Sequence, residues 1–396
     1  MKIAYVTTEF TSEAPCGGQA RYLENVAILF ANHGHDVYVI VKSNQDQIFL
    51  WKDKITVVRV RCSFEISIGN RIFKRYRPSF FLNKCVNKLH RRLRFDIIQY
   101  SSLQGIPLLM SRFTPSIVRI SSFEPICRRA LVEDFDVTAL CLNFSEKREL
   151  DALKKAKIII GPSRVCAELI TQYIHKEIKI IESPVCVHAI MKKPAFFDSL
   201  LQNKKYFLFF GTLNFLKGLH MVCNIADVFL ENHPDTYIVF LGSNVDLTSK
   251  NGAFDSYSYI QRTIKNRNRV FVLGSIYEKE YSNYIISHAE ACLMPSRMDN
   301  LPNTCIEAMA LGKVVIGTRG ASFEQLIEDN YSGFLVDRDN EKQLLAAMDK
   351  VYKLSKEEKN TLGNNAKMVV KRMEPELIYN QLLALYKVVC EPTYNK

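Results

Sequence analysis

Two carboxylates eight positions apart, Asp299 and Glu307, stand in the stretch 296–313, SRMDNLPNTCIEAMALGK. Between them the turn Asn300-Leu301-Pro302-Asn303 leads into a short predicted helix that carries Thr304 and Glu307. A helix N-terminus offers unsatisfied N–H groups and partial positive charge, which suit a phosphate. A carboxylate on either side can accept hydrogen bonds from the hydroxyls of a sugar and a ribose. Together these groups could hold a nucleotide-sugar. The same residues fit a plainer pattern. Thr304-x-x-Glu307 is the spacing of a capping box, and Asp299 is a common turn residue before Asn-Leu-Pro.

Two glycine turns add to the picture. Gly17-Gly18 follow the first apolar run, just before a helical pattern; glycines there let backbone approach a phosphate, though a plain strand-to-helix turn serves equally. In FFGTLNFLKG, residues 209–218, Gly211 closes a strand, Thr212 follows it, and Lys217 opens the next helix. There the Lys217 ammonium can meet a pyrophosphate; the alternative is a solvated surface lysine. Two D-x-D triplets, Asp134/Asp136 and Asp337/Asp339, have the spacing of a divalent-metal site but read as surface acids. His33 and His35 flank Gly34 at a helix-to-strand turn, where a structural role is expected.

These groups need a frame, and the chain supplies a repeated one. Apolar runs alternate with amphipathic segments: strands near 3–7, 36–41, 55–60, 95–99, 116–120 and 157–160, and helices near 21–32, 81–93 and 164–174. The pattern restarts with strands near 206–210, 237–241, 269–273, 291–294 and 314–316, interleaved with helices near 219–231, 257–265, 278–287, 304–310 and 341–353. Alternation of this kind predicts parallel sheets covered by helices. The expected layout is an α/β chain of two Rossmann-like domains. They are an N-terminal one over 1–183, a linker over 184–204, a C-terminal one over 205–374, and a helix and tail over 375–396 crossing back to the first domain. Ligands of such sheets bind beyond the carboxyl ends of the strands, here in a cleft between the domains.

The charge is uneven. The net +12 is concentrated between Arg59 and Arg94, where eleven Lys or Arg face one acid, Glu65. Such a segment implies an anionic partner. A helix over 79–94 has Phe81, Leu82, Cys85, Val86, Leu89 and Leu93 on one face and cations on the other, so it either packs on the sheet or also touches an anionic membrane. No nucleic-acid motif accompanies the charge, so no nucleic acid is expected. Eleven scattered cysteines without a C-x-x-C pair argue against a disulfide framework or zinc site and point to a reduced, cytoplasmic setting.

Taken together, Gly17-Gly18, HGHDV at 33–37, IGPS at 160–163, GTLNFLKG at 211–218, DNLPNTCIEAMALG at 299–312, TRGASFEQLI at 318–327 and YSGFLV at 331–336 resemble the GT-B-fold retaining glycosyltransferases of family GT4, along nearly the whole chain. The resemblance implies transfer of a sugar from a nucleotide-sugar, with no cofactor or metal, the donor on the C-terminal domain and the acceptor on the N-terminal one. It implies that Lys217 neutralises the diphosphate and that the Asn303 and Thr304 N–H groups bind the distal phosphate. Asp299, with the Asn300-Leu301-Pro302 backbone, would contact the donor sugar, and Glu307 the ribose. The base would lie near Leu273–Ile276, with Gly17 and Gly18 near the diphosphate. Lys217, Asp299 and Glu307 are thus the catalytic candidates. Three departures stand out. The family's E-x7-E is here Asp299-x7-Glu307. Thr212 stands where Arg often follows the glycine, leaving Lys217 and Arg297 as the cations there. A histidine common in the first domain is absent from 119–124, where Ser122 or Glu124 takes its place.

The expectation is a cytoplasmic enzyme, peripheral to the inner membrane face through segment 59–94. It would move a hexose, from a UDP-glucose-type donor, to a glycan or lipid-linked acceptor in polysaccharide or glycolipid assembly. The alternatives are a nucleotide-sugar epimerase of the same fold, or a non-catalytic basic protein that binds membrane or nucleic acid.

Overall fold

Short runs of β-branched and aromatic residues become the strands of two separate sheets, one wholly and one mainly parallel, with helices along the connections between strands. The computed structural model describes residues 1–12, 17–62, 71–132, 142–185, 190–249 and 252–391, except for the side chains of 71–75, 248–249 and 252–253. The chain divides into two compact units. Met1–Pro125, Cys141–Cys186 and Met373–Lys396 form the first; Ile126–Leu140 and Val187–Arg372 form the second.

The first unit is built on β1 (Lys2–Thr7), β2 (Asp36–Ser43), β3 (Gln47–Trp51), β4 (Ile55–Arg61), β5 (Ile97–Ser101), β6 (Ser116–Arg119), β7 (Ile159–Gly161) and β8 (Lys179–Ile180). Their order is β3-β4-β2-β1-β5-β6-β7-β8, and every pairing is parallel except β3 with β4. Parallel neighbours need crossovers, and helices α1 (Gly18–Asn32), α2 (Arg71–Leu93), α3 (Glu124–Ala130), α4 (Phe144–Lys155) and α5 (Arg164–Ile174) lie along these connections. Helix α2 starts well before the expected 79–81 and contains Pro78. Its Leu82 and Val86 are buried, so the apolar face packs on the sheet.

The second unit contains α6 (Phe197–Leu200), β9 (Lys205–Phe210), α7 (Leu219–Asn232), β10 (Thr236–Leu241), a hairpin of β11 (Asp246–Ser249) and β12 (Gly252–Asp255), α8 (Ser256–Thr263), β13 (Val270–Gly274), α9 (Lys279–His288), β14 (Ala291–Met294), α10 (Asn303–Ala310), β15 (Val315–Thr318), β16 (Phe334–Val336), α11 (Glu341–Lys353) and α12 (Lys356–Val370). Its sheet runs β13-β10-β9-β14-β15-β16, all parallel. Chain order moves outward from β9 in one direction and from β14 in the other. The β9/β14 pair is therefore the topological switch point, where ligands of open α/β sheets bind.

The last helix, α13 (Pro375–Cys390), belongs to the first unit. Its Ile378, Leu382 and Tyr386 share one core with Tyr5, Val26 and Phe30. Phe30 packs between Tyr379 and Tyr386, with ring centroids 4.9 and 5.3 Å away. His33 stacks on Tyr379 at 3.8 Å and meets Glu376 at 3.0 Å. His35 is hydrogen-bonded to the Tyr379 hydroxyl at 2.9 Å and to the Met1 amine at 3.0 Å. The His33-Gly34-His35 turn is thus a structural seam that holds the last helix against the first strand and helix.

Candidate functional site

The turn after β9 and the turn after β14 are laced together, and the lacing places the first charged pair. Gly211 follows β9 at φ 145°, and Asn214 caps the 3-10 turn Phe215–Lys217 by accepting the Lys217 N–H at 2.9 Å. Gly218 follows at φ 80°; a Cβ there would fall 2.0 Å from the Pro295 carbonyl oxygen, so only glycine fits. The Arg297 N–H donates to the Leu216 carbonyl at 2.8 Å. With the turns so joined, the Lys217 ammonium lies on the Asp299 carboxylate. The pair is partly buried, at 27% and 14% side-chain exposure.

Asp299 is fixed from both sides. Its carboxylate accepts the Asn300 N–H at 2.9 Å, and its carbonyl accepts the Ser322 hydroxyl at 2.7 Å. Leu301 then adopts φ 114°, a conformation that a bulky side chain avoids and that costs of order 1–3 kcal/mol. That strain turns the chain into Pro302, which precedes α10. Strained backbone of this kind clusters at binding sites.

Helix α10 does not use the capping box its sequence permits. Pro302 occupies the cap position, so Thr304 lies inside the first turn and no side chain among the described residues caps the helix. The Cys305 and Ile306 N–H groups donate to the Pro302 carbonyl at 3.1 and 3.2 Å. The Asn303 and Thr304 N–H groups precede them and have no acceptor among the described residues. They are the orphan donors an anion would satisfy. Glu307, released from capping, meets Lys279 at 3.1 Å. Lys279, which the sequence reading did not single out, thereby joins the candidate site. It opens α9, shortly after the Leu273–Ile276 segment at the end of β13. Leu273 and Ile276 are both half-buried there.

Arg297 departs from expectation. It is 4% exposed, and its Nε donates to both Asp339 oxygens at 2.8 and 3.1 Å. Held there, its guanidinium does not replace the cation lost at Thr212. Asp339 lies at the surface as expected, yet it also receives His220 at 2.9 Å. Burial pushes its carboxyl up, but His220 and Arg297 outweigh that and hold it below the ordinary value. Asp337 pairs with Arg319 at 3.3 Å. Asp134 and Asp136 fall outside the described residues, among which no group of three His, Cys, Asp or Glu is placed to hold a metal.

The remaining candidates belong to the first unit. Gly17 and Gly18 begin α1 and are exposed, and the Gly17 N–H points to Glu9 Oε2 at 3.4 Å. The Ser122 hydroxyl reaches Glu124 Oε2 at 3.5 Å, just past the end of β6. Behind them Glu149 accepts the Gln104 N–H at 2.7 Å.

Comparison with known proteins agrees with this frame. Residues 192–369 match the family model "Glycosyl transferases group 1". Sucrose-phosphate synthase from Thermosynechococcus elongatus is similar in structure, with a TM-score of 0.78 at 16% identity over 98% of this chain and 99% of that one. Anabaena HepE in complex with UDP-glucose gives 0.70 at 15% identity over 98% and 100%. At such identities the likeness speaks for the GT-B fold. Among curated proteins, spore coat protein SA of Bacillus subtilis is 25% identical over 174 residues, 42% of this chain and 46% of its own. The chain thus spans less than half the length of that relative. The matched region contains Lys217, Lys279, Asp299, α10 and Glu307, so it is this part of the chain that is similar to the glycosyl transferases group 1 family.

Proposed function

We propose that the protein is a retaining glycosyltransferase that moves a hexose from a nucleotide-sugar to a glycan or lipid-linked acceptor. The observation that carries the reading is the Lys217–Asp299 pair at the β9/β14 switch point, next in sequence to a helix start whose first two N–H groups are unsatisfied. In this scheme the donor diphosphate draws Lys217 from Asp299 and takes the Asn303 and Thr304 N–H groups. Asp299, freed, accepts donor-sugar hydroxyls together with the Asn300–Pro302 backbone. Glu307 accepts ribose hydroxyls, and the base lies along Leu273–Ile276.

The chemistry follows from where charge develops. As the glycosidic C–O bond to the diphosphate breaks, negative charge grows on the leaving oxygen, where Lys217 and the start of α10 receive it. The acceptor hydroxyl attacks from the same face, and the departing phosphate takes its proton. The scheme assigns neither Asp299 nor Glu307 as a covalent nucleophile and calls for no metal. Uridine nucleotides come first for trial, because HepE was crystallised with UDP and UDP-glucose.

An anionic surface is a partner in the same reading. Arg59, Arg61, Lys84, Lys88 and Arg92 line a groove of about 1100 Å³ between β4 and α2, beside exposed Ile48. That chemistry suits acidic headgroups. Residues 63–70 of the basic segment lie outside the described ones, and among those described no helix is long and apolar enough to cross a membrane.

A thermal-shift panel of UDP, GDP, ADP and their sugars tests the reading, since a ligand bound only by the native state raises the melting temperature. One nucleotide-sugar should stabilise the protein, and Lys217→Ala and Glu307→Ala should each reduce that gain. A flat panel would remove the reading.

A further inference from the structure

Arg119 ends β6 inside the first unit and is only 5% exposed. Its guanidinium lies 3.4 Å above the Tyr22 ring, its Nη2 donates to the Ser183 hydroxyl at 3.1 Å, and its Nη1 reaches the Ile120 carbonyl at 3.4 Å. Among the described residues its Nε–H has no hydrogen-bond partner. No carboxylate among the described residues lies within 4 Å of it. A buried cation without an opposite charge is costly, and such groups are ordinarily paired.

The neighbours do not supply the missing charge. Burial raises the Tyr5 and Tyr386 hydroxyls well above the ordinary tyrosine value, so both stay neutral. Burial also lowers Arg119 from its ordinary value, but a guanidinium remains protonated in proteins. Tyr386 donates to Gln99 Oε1 at 2.8 Å, and Gln99 donates to the Tyr22 hydroxyl at 3.3 Å, so those side chains satisfy one another.

Arg119 lines a cavity of about 20 Å³ with Thr7, Gln19, Tyr22, Gln99 and Ser101. A single water needs about 10–15 Å³ on this measure, so the space admits one small group. Thr7, Ser101 and Arg119 are the last residues of β1, β5 and β6, which are adjacent parallel strands. The cavity therefore opens where open α/β sheets bind ligands.

We propose that Arg119 is an anion-recognition residue and that its cavity takes one small monoanionic group, either a carboxylate carried by the acceptor or a free halide. The guanidinium supplies charge and the unused Nε–H a directed donor, while Tyr22 fixes the plane of the group. The acceptor source rests on the transferase reading; the anion site itself does not.

Two arms test this separately. In the first, sodium bromide or sodium formate is titrated into the full chain at constant ionic strength, and bromide-soaked crystals are examined for anomalous scattering. The expected results are saturable stabilisation and a bromide peak beside Arg119 Nε. Arg119→Lys should weaken the stabilisation about tenfold, and Arg119→Gln should abolish it. If Arg119→Gln does not fold, the wild-type titration and the bromide peak still decide. In the second arm, transfer to acceptors ending in a uronic acid is compared with transfer to their neutral hexose counterparts. A lower KM for the acidic acceptor that disappears in Arg119→Lys, with nucleotide affinity unchanged, assigns the group to the acceptor. Saturable halide binding without acceptor preference assigns it to a free anion. No halide, no formate and no acidic preference in the wild type would overturn the site and leave Arg119 as a packing residue. A protein that lacks transferase activity fails only the second arm.

Discussion

Lys217 is held by the Asp299 carboxylate, which in the proposed scheme an incoming diphosphate must displace. Asp299→Asn therefore has an effect of unusual sign. An exposed pair of this kind contributes about 0.2–1 kcal/mol, whereas breaking a fully buried one costs about 3–5 kcal/mol. Exposures of 27% and 14% place Lys217–Asp299 between these limits, at about 1–2 kcal/mol. Neutralising Asp299 removes that competitor for the ammonium and a like charge near the phosphates. The variant should bind the preferred nucleoside diphosphate more tightly than wild type, by about 5- to 30-fold. Lys217→Ala should bind it more weakly, losing a charge-assisted contact of about 1.5–3 kcal/mol, or about 10- to 150-fold. Transfer should fall in both, because Asp299 is also the proposed partner of the sugar hydroxyls. Isothermal titration with the diphosphate gives the affinities, and the double variant closes the cycle. The two effects should not add, since Asp299 competes only while Lys217 is present. Weaker or unchanged binding by Asp299→Asn would refute the idea that this ion pair gates the phosphate site.

Three further outcomes are expected. Glu307→Ala should weaken the ribonucleotide by about 1.5–3 kcal/mol while leaving the affinity of its 2′,3′-dideoxy analogue almost unchanged; an equal loss for both would dissociate Glu307 from the ribose. Gly218→Ala should lower the urea midpoint, since left-handed backbone alone costs about 1–3 kcal/mol and the new Cβ would meet the Pro295 carbonyl. An unchanged midpoint would mean that the two loops are not held as described. Burial, reinforced by Glu124 and Glu146 and opposed by the Gln104 N–H and Arg148, raises Glu149 to about 7. Because this acid binds its proton more tightly folded than unfolded, its contribution to stability falls as pH rises from the ordinary glutamate value to about 7. Glu149→Gln should raise the melting temperature at pH 8 relative to wild type and change it less at pH 5; equal shifts at both would count against the raised value.

The parts of the fold legible in the sequence are those where burial leaves a one-dimensional trace. Buried parallel strands such as 206–210, 237–241 and 291–294 are near-continuous apolar runs, and their sheet follows from the repeat. Edge strand β3 was missed because QIFLW is short and leaves Ile48 and Leu50 facing outward. Helix α12, rich in Lys, Glu and Asn and containing Gly363, lacks a strong apolar stripe; Gly363 is there because a Cβ would meet the Gly312 carbonyl at 2.0 Å. In the candidate site, Asp299, Glu307 and Lys217 could be singled out because a turn, a helix start and a strand end mark them, and the fold pairs Lys217 with Asp299. Lys279 could not, because its relation to Glu307 exists only after α9 and α10 pack together. Arg297 was read as a cation that could compensate for Thr212 at the phosphate site, and folding instead turns it to Asp339.

The seam formed by His33, His35 and Tyr379 has a consequence for the order of events on the ribosome. The first unit draws its covering helix from the last described segment of the chain, whereas most of the second unit is one continuous stretch, Val187–Arg372. Translation thus delivers the second unit while its predecessor still exposes Phe30 and the faces of Tyr5 and Val26 that α13 will cover. The later-made half is free to reach its native state first, and the earlier-made half waits, with apolar surface open to chaperones, for a helix that emerges only after the second unit.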